Sequence, residues 1–349
     1  MLLKLINFGG KMKKLLTLVI LFTSTIASAG TLVVNSNQSG EPSKSAFDAY
    51  VAAFSAAHPE VTVVVNEFEH EAYKTAIRNF LTAEAPDVAV WFAGNRMKFF
   101  VDQNLFQDVS DVWADAGLND SMASTKGSLT VDGKQYGVPW GYYQWGVYYR
   151  KDLFDQLGLN VPRDWDEFKW VCAMLKKNGI TPITIGTKYL WTAGGWFDYL
   201  NLRINGYQFH MDLTAGKVSY EDPRLDAVFD HWRELIDPGY FLEDHASFSW
   251  QDAQAPQING EAAMYLIGNF YVPTFEAAGI GDQMDFFQFP TIYEGVGVAE
   301  DAPTDTMHIP AGAKNVEDAK KFLAFMSNAS AAGEWAKIAG MLSPNKNAP

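Results

Sequence analysis

The feature that most constrains the fold is an alternation of apolar spacing between Thr31 and Phe92. Thr31 to Asn35, Val61 to Val65 and Asp87 to Phe92 are short runs rich in strand-forming residues. Between them, Phe47, Tyr50, Val51 and Phe54 recur at the spacing of one helical stripe, which Pro59 stops. Tyr73, Ile77, Phe80 and Leu81 form a second stripe. Strand, helix, strand, helix, strand predicts an α/β chain on a parallel sheet, because parallel neighbours need a crossover that also covers the sheet. Ligands of such sheets lie beyond the carboxyl ends of the strands. The loops Ser36 to Glu41 and Trp91 to Arg96 are therefore expected at the mouth of a site.

A leader precedes this alternation. Lys13 and Lys14 stand before an apolar run from Leu15 to Phe22, and the segment ends in Ala27, Ser28 and Ala29. Charged, apolar and small regions in that order predict a secretory signal peptide over residues 1–29, since the run is shorter than the ~20 residues that span a bilayer. Met12 before two lysines is itself a complete start, so residues 1–11 read as an extension. Cleavage after Ala29 removes four lysines from a chain whose formal charge is already −14. A surface of that sign repels nucleic acid and anionic lipid. The single Cys172 forms no internal disulfide, and no cysteine stands at the cleavage site to carry a lipid. A soluble periplasmic monomer fits these facts.

Further along, Asp132-Gly133 lies between two short alternating runs and predicts a two-residue hairpin, because both positions tolerate positive φ. Asp164 and Glu167 form a capping box for a helix whose stripe is Trp165, Phe168, Cys172 and Leu175, which makes Cys172 a core residue. The length from Gly30 onward suits about two domains at ~100–200 residues each.

Several landmarks then appear in order. They are Ala85 to Trp91; Asp132 to Pro139; Tyr148 to Phe154 with Pro162 and Asp164 to Phe168; Gly260 to Met264 with Gly268 to Phe270; and Ala319 to Phe325 leading to Trp335 and Gly340. In these the chain resembles an extracellular solute-binding protein of the maltose-binding-like, carbohydrate-importer class. The resemblance implies a two-lobed periplasmic-binding-protein fold with a ligand cleft between the lobes and hinge strands crossing twice. By analogy the first lobe takes residues 30–139 and 291–340, and the second takes 140–290. It also implies an ABC-type membrane permease as partner. Met341 to Asn345 looks like a landmark after which relatives continue through helices on the second lobe, so residues 341–349 read as a short end and the second lobe as the weaker one.

Sugar is the expected ligand, because pyranose rings offer flat C–H faces ringed by hydroxyls. Their site needs aromatic faces together with fixed polar groups. Eleven Trp, 24 Phe and 15 Tyr supply more rings than packing asks for. Three clusters carry the mixture: Trp91, Asn95 and Arg96; Trp140, Tyr142, Tyr143 and Trp145; and Thr192 to Asp198, where Gly194 and Gly195 lead to a stacking Trp196 followed by Asp198. Gln38, Glu41, Trp250, Asp252 and Asn269 complete the expected site. Each has a plainer alternative. Trp91 could be core, Gln38 and Glu41 could cap the helix near Ser43, Trp250 and Asp252 could be surface, and Asn269 a turn residue. Tyr142, Tyr143 and Trp145 alternate faces if extended, so only part of that group can enter a cleft. Arg203 could pair with an acid in the second lobe.

The rival reading is a secreted glycoside hydrolase or lyase, which needs two converging carboxylates, and Asp87, Asp198, Asp252 and Glu261 are available. No nucleophile elbow, zinc-ligand set or phosphate loop is present, so neither a catalytic residue nor a metal or cofactor is assigned. A polyamine or an iron ligand is the other alternative.

Overall fold

The computed structural model describes residues 30–349; the leader expected over residues 1–29 lies outside them. The opening alternation folds as its spacing predicts. Strands Gly30–Ser36, Val61–Glu67 and Val88–Phe92 lie parallel, with Gly30–Ser36 between the other two. Helices Ser43–Ala57 and His70–Thr82 cover them, burying Phe47, Tyr50 and Phe54 from the first and Tyr73, Ile77 and Leu81 from the second. Two later strands complete this sheet. Thr304–His308 runs antiparallel against Val88–Phe92, and Val138–Tyr142 closes the edge beside it.

The second sheet has four strands, in the order Met284–Phe287, Trp145–Arg150, Ala262–Gly268 and Thr181–Ile183. Its core includes Phe168, Cys172 and Leu175 of helix Trp165–Lys177. The cap of that helix is as expected on one side: Asp164 accepts from the Glu167 N–H at 2.8 Å. Glu167 reaches back one residue further than the box requires, to the Arg163 N–H. Burial raises the Cys172 thiol well above its ordinary pKa, as for an unreactive core residue. Asp132 and Gly133 adopt φ of 49° and 79° at the tip of the short hairpin Thr130–Val131 with Lys134–Gln135, matching the mirror-image turn that Asp-Gly favours.

Two separate hydrophobic cores follow from the two sheets, giving a two-lobed periplasmic-binding-protein architecture. The chain passes from first to second at Tyr143 and Gln144 and returns through the segment before Thr304. The passages touch. Tyr143 N–H donates to the Pro303 carbonyl and Trp145 N–H to that of Asp301, both at 3.2 Å. Trp140, expected to open the second lobe, instead belongs to the first. Its strand is the edge of the first sheet, and its ring, 0% exposed, packs against Phe47, Tyr50 and Trp335. Residues beyond Met341 also lie on the first lobe: Leu342 pairs with Tyr142, and Lys346 N–H donates to Ser121. No helix among the described residues is long and apolar enough to cross a membrane.

Asp87 shows how the first lobe is clasped. Its carboxylate accepts from the backbone of Val33, Lys314 and Asn315 and from the Asn315 side chain, tying the parallel strands to the returning chain. Burial alone would raise its pKa, yet these donors outweigh burial and hold it below the usual range.

Candidate functional site

The polar wall of the interlobe cleft begins on the first turn of helix His70–Thr82, where Glu71 and Lys74 stand one turn apart and bond at 3.0 Å. Phe92 ends its strand nearby. The Arg96 guanidinium lies 4.1 Å from the Phe92 ring centre and the Lys74 ammonium 5.9 Å from it. His70 is kept neutral: burial, and then the charges of Lys74 and Arg96, bring its pKa down to about 3. Cross-strand from Phe92 sits Asp305, which is 6% exposed and whose Oδ1 has no hydrogen-bond partner. Burial pushes its carboxyl up to about 7, against the pull of Lys74 and Arg96.

The facing wall, on the second lobe, is aromatic. Trp191 begins helix Trp191–Ile204, with Trp250 6.0 Å and Phe270 6.4 Å from it between ring centres. Trp250 and Phe270 meet edge to face at 5.1 Å, and Tyr143 meets Phe270 likewise at 5.1 Å, which carries the aromatic surface onto the hinge. Burial, and then the charges of Asp305 and Asp301, raise the Tyr143 hydroxyl well above its ordinary pKa. The walls are in contact. Trp191 Nε1 donates to Glu71 at 3.0 Å beneath the Lys74 ammonium, which is 5.5 Å from the Trp191 ring centre. Asn95 donates to the Thr214 carbonyl at 3.0 Å.

Acids gather behind the hinge. Asp198, half-buried, is pushed up to about 7 by burial and then by Asp301, which is itself raised to about 6 by burial and then by Glu300. Arg203 binds Glu300 and the carbonyls of Ala299 and Phe289, so the acid it pairs with lies on the returning passage.

Several expected residues are placed elsewhere. Trp196 is 0% exposed and packs among Phe168, Phe241 and Phe289. The stretch from Thr192 to Asp198 is helical, and Trp191 and Trp196, five residues apart, stand about 140° apart around it. Gly195 serves packing: a Cβ there would come within 2.4 Å of the Trp145 ring. Trp145 is core behind Trp191. Trp91 is core as well, its Nε1 donating to the Arg96 carbonyl and its face supporting the Arg96 guanidinium at 4.8 Å. Tyr142 is pinned to Leu342 through both backbone bonds, so Tyr143 rather than Tyr142 meets the cleft rings.

Asp252 is exposed and caps its own turn through Ser249. Glu41 is exposed and accepts weakly from the Ser45 N–H, as a helix cap would, while buried Gln38 bonds Asn37. Asn269 clips the hinge by exchanging bonds with the Gln144 backbone. Arg96, Asn95 and Trp250 of the expected set are thus brought to the cleft, and Asp198 lies beside its hinge. Glu71, Lys74, Trp191, Phe270 and Asp305 were not anticipated. Trp191 was within reach, three residues before the glycine pair, while Asp305 carries no local signal.

Two hollows lie away from the cleft. One of about 260 Å³ is on the first lobe beside Tyr50 and Trp335; one of about 840 Å³ is on the second, lined by Trp232, Phe241 and His245.

Asp305→Asn offers a test of the burial of this acid. With a folded pKa raised to about 7, the aspartate adds stability below the ordinary carboxylate range and loses it as pH rises toward 7. Asparagine does not titrate. Its melting temperature should match the wild type near pH 4 and exceed it increasingly up to pH 8, by at most about 4 kcal/mol in stability. A pH-independent difference would contradict the assignment.

Comparison with known proteins agrees with this geometry. Residues 38–333 match the model of the bacterial extracellular solute-binding protein family. An ABC transporter extracellular-binding protein of Pyrococcus horikoshii is 27% identical over 313 residues, 88% of this chain and 70% of that one. A multiple sugar-binding protein of Streptococcus mutans is 26% identical over 60% of this chain and 51% of its own length. Among solved structures, the bacterial solute receptor AcbH, described as exclusive for β-D-galactopyranose, superposes with a TM-score of 0.86 at 34% identity, covering 92% of this chain and 82% of that one. A protein of xylan utilisation in Caldanaerobius polysaccharolyticus gives 0.80 at 26% identity, over 90% and 82%. With its two lobes, its paired passages and a family model spanning most of its length, the chain belongs to the bacterial extracellular solute-binding proteins.

Proposed function

We propose that this protein captures a carbohydrate between its lobes and presents it, chemically unchanged, to an ABC-type importer at the membrane. The observation that carries the reading is the pairing of walls. Trp191, Trp250 and Phe270 offer ring faces and edges for C–H groups, and opposite them Arg96, Lys74, Glu71 and Asp305 offer donors and acceptors for hydroxyls. The relatives named for β-D-galactopyranose, for xylan utilisation and for multiple sugars support the same ligand class. The four carboxylates that an enzyme reading would need are engaged separately: Asp87 clasps backbone, Asp252 caps a turn, Glu261 is exposed and Asp198 stands at the hinge.

The sequence-derived leader supports export to the periplasm, and the net charge of −14 supports a partner other than nucleic acid. A monomer suffices, since one chain supplies both walls. Two interlobe hydrogen bonds, at ~1 kcal/mol net each, hold the lobes loosely enough for a ligand to govern opening.

A thermal-shift panel of mono- and oligosaccharides tests the reading. A ligand at a hundred times its Kd adds ~2.7 kcal/mol to stability, and chromatography of the same mixtures should show the sugar unaltered. Silence across the panel, or released products, would refute it.

A further inference from the structure

The cleft holds two opposite charges that do not pair with each other. Asp305 is nine-tenths buried, yet its Oδ1 has no hydrogen-bond partner. Arg96 lies over the rings of Phe92 and Trp91, and among the described residues its guanidinium forms no ion pair, although Asp305 is close enough for each to feel the other's charge. A buried carboxylate without a partner is costly, so a nearby guanidinium would ordinarily be drawn onto it. Here the guanidinium is held back. Its central carbon lies 4.8 Å from the Trp91 ring centre and 4.1 Å from that of Phe92, and Trp91, which also bonds the Arg96 carbonyl, is itself set in the core.

We propose that Asp305 and Arg96 bracket the ligand directly, Asp305 accepting from one hydroxyl and Arg96 donating to its neighbour, and that the site therefore selects an uncharged sugar bearing an adjacent hydroxyl pair. This inference rests on the carbohydrate reading above. It adds two things: Asp305 becomes a ligand-binding residue, and the ligand's charge is fixed. A hydroxyl both donates and accepts, so a vicinal pair fills both halves of the bracket, and a charged hydrogen bond to each end is worth more than a neutral one.

The charge argument is a matter of balance. Around the bracket stand Lys74 and Arg96, both cationic, and Glu71 and Asp305, both acidic. These four sum to zero once Asp305 is ionised, above about pH 7. An ammonium or carboxylate on the sugar brings a charge that no group here is left over to neutralise, and a closed cleft makes that costly. An amino sugar also meets Arg96 and Lys74, while a uronic acid meets Asp305 and Glu71.

Calorimetry on the full chain at pH 7.5 tests this with D-galactose, D-glucose, D-xylose, xylobiose, D-galactosamine and D-galacturonate. At least one neutral sugar should bind wild type, and the two charged sugars should bind at least tenfold more weakly. Asp305→Asn and Arg96→Met should each lower affinity for that neutral sugar tenfold or more; in the ligand-free state Arg96→Met should melt near wild type and Asp305→Asn above it, because at this pH the substitution removes a buried charge. Either variant binding within twofold of wild type, or a charged sugar binding as tightly as the neutral one, would overturn the bracket while leaving the carbohydrate reading intact. Wild type binding none of the neutral sugars would overturn both.

Discussion

Trp196→Ala should lower the unfolding free energy by about 3–5 kcal/mol, among the largest costs a single substitution can have in this chain. The ring is 0% exposed and is surrounded by Phe168, Phe241 and Phe289, so truncation leaves a cavity walled by rigid rings that cannot close in on it. Thermal or denaturant unfolding reads the effect. Any sugar affinity lost should be regained under conditions that keep the variant folded. A variant as stable as wild type that had lost its ligand would return Trp196 to the binding surface.

Trp191→Ala should do the reverse. Trp191 is half-buried at the start of its helix and faces the first lobe, where it donates to Glu71 and lies beside the Lys74 ammonium. Removing it takes away the central ring of the aromatic wall together with a contact between the lobes. Affinity should fall roughly a hundredfold, ~2.7 kcal/mol, as for the aromatic anchors that dominate other interfaces. Stability of the ligand-free chain should change by less than about 1 kcal/mol, because the side chain is not enclosed. Calorimetric titration and melting must be measured on the same preparation. Undiminished affinity would remove Trp191 from the site.

These two tryptophans show where the sequence could be read and where it could not. The opening strand and helix alternation, the Asp132-Gly133 hairpin and the Asp164 cap are decided by neighbours within a few residues, so local spacing identifies them. The choice between Trp191 and Trp196 turns on whether the glycine pair lies in a loop or a helix. As a loop, Gly194 and Gly195 point to an open backbone and a free Trp196. As a helix, one face turns inward and takes Trp196 with it, and Gly195 exists to admit the Trp145 ring.

Trp140 is a similar case. Its aromatic neighbours suggest a site, but the strand it belongs to is claimed by the first sheet through pairing with Thr304–His308, more than 160 residues away in sequence. Asp305 lies deeper still. Nothing about an aspartate between two threonines marks it, since lacking a partner is a property of the assembled cleft. Arg96 and Trp250 were identifiable because each sits in a polar stretch flanked by aromatics, the composition a sugar site requires.

Small-angle scattering on the wild-type chain, with and without a saturating sugar taken from the thermal-shift panel, tests the central claim most directly, because capture between lobes changes the shape of the molecule as well as its occupancy. The two passages at Tyr143 to Trp145 and Asp301 to Pro303 run side by side and leave few residues to absorb a rotation, as a hinge needs. The account predicts a radius of gyration that falls when sugar is added, to the value calculated for the closed arrangement in which Trp191 meets Glu71. A sugar that binds to saturation while the radius stays unchanged at a larger, open value would contradict it.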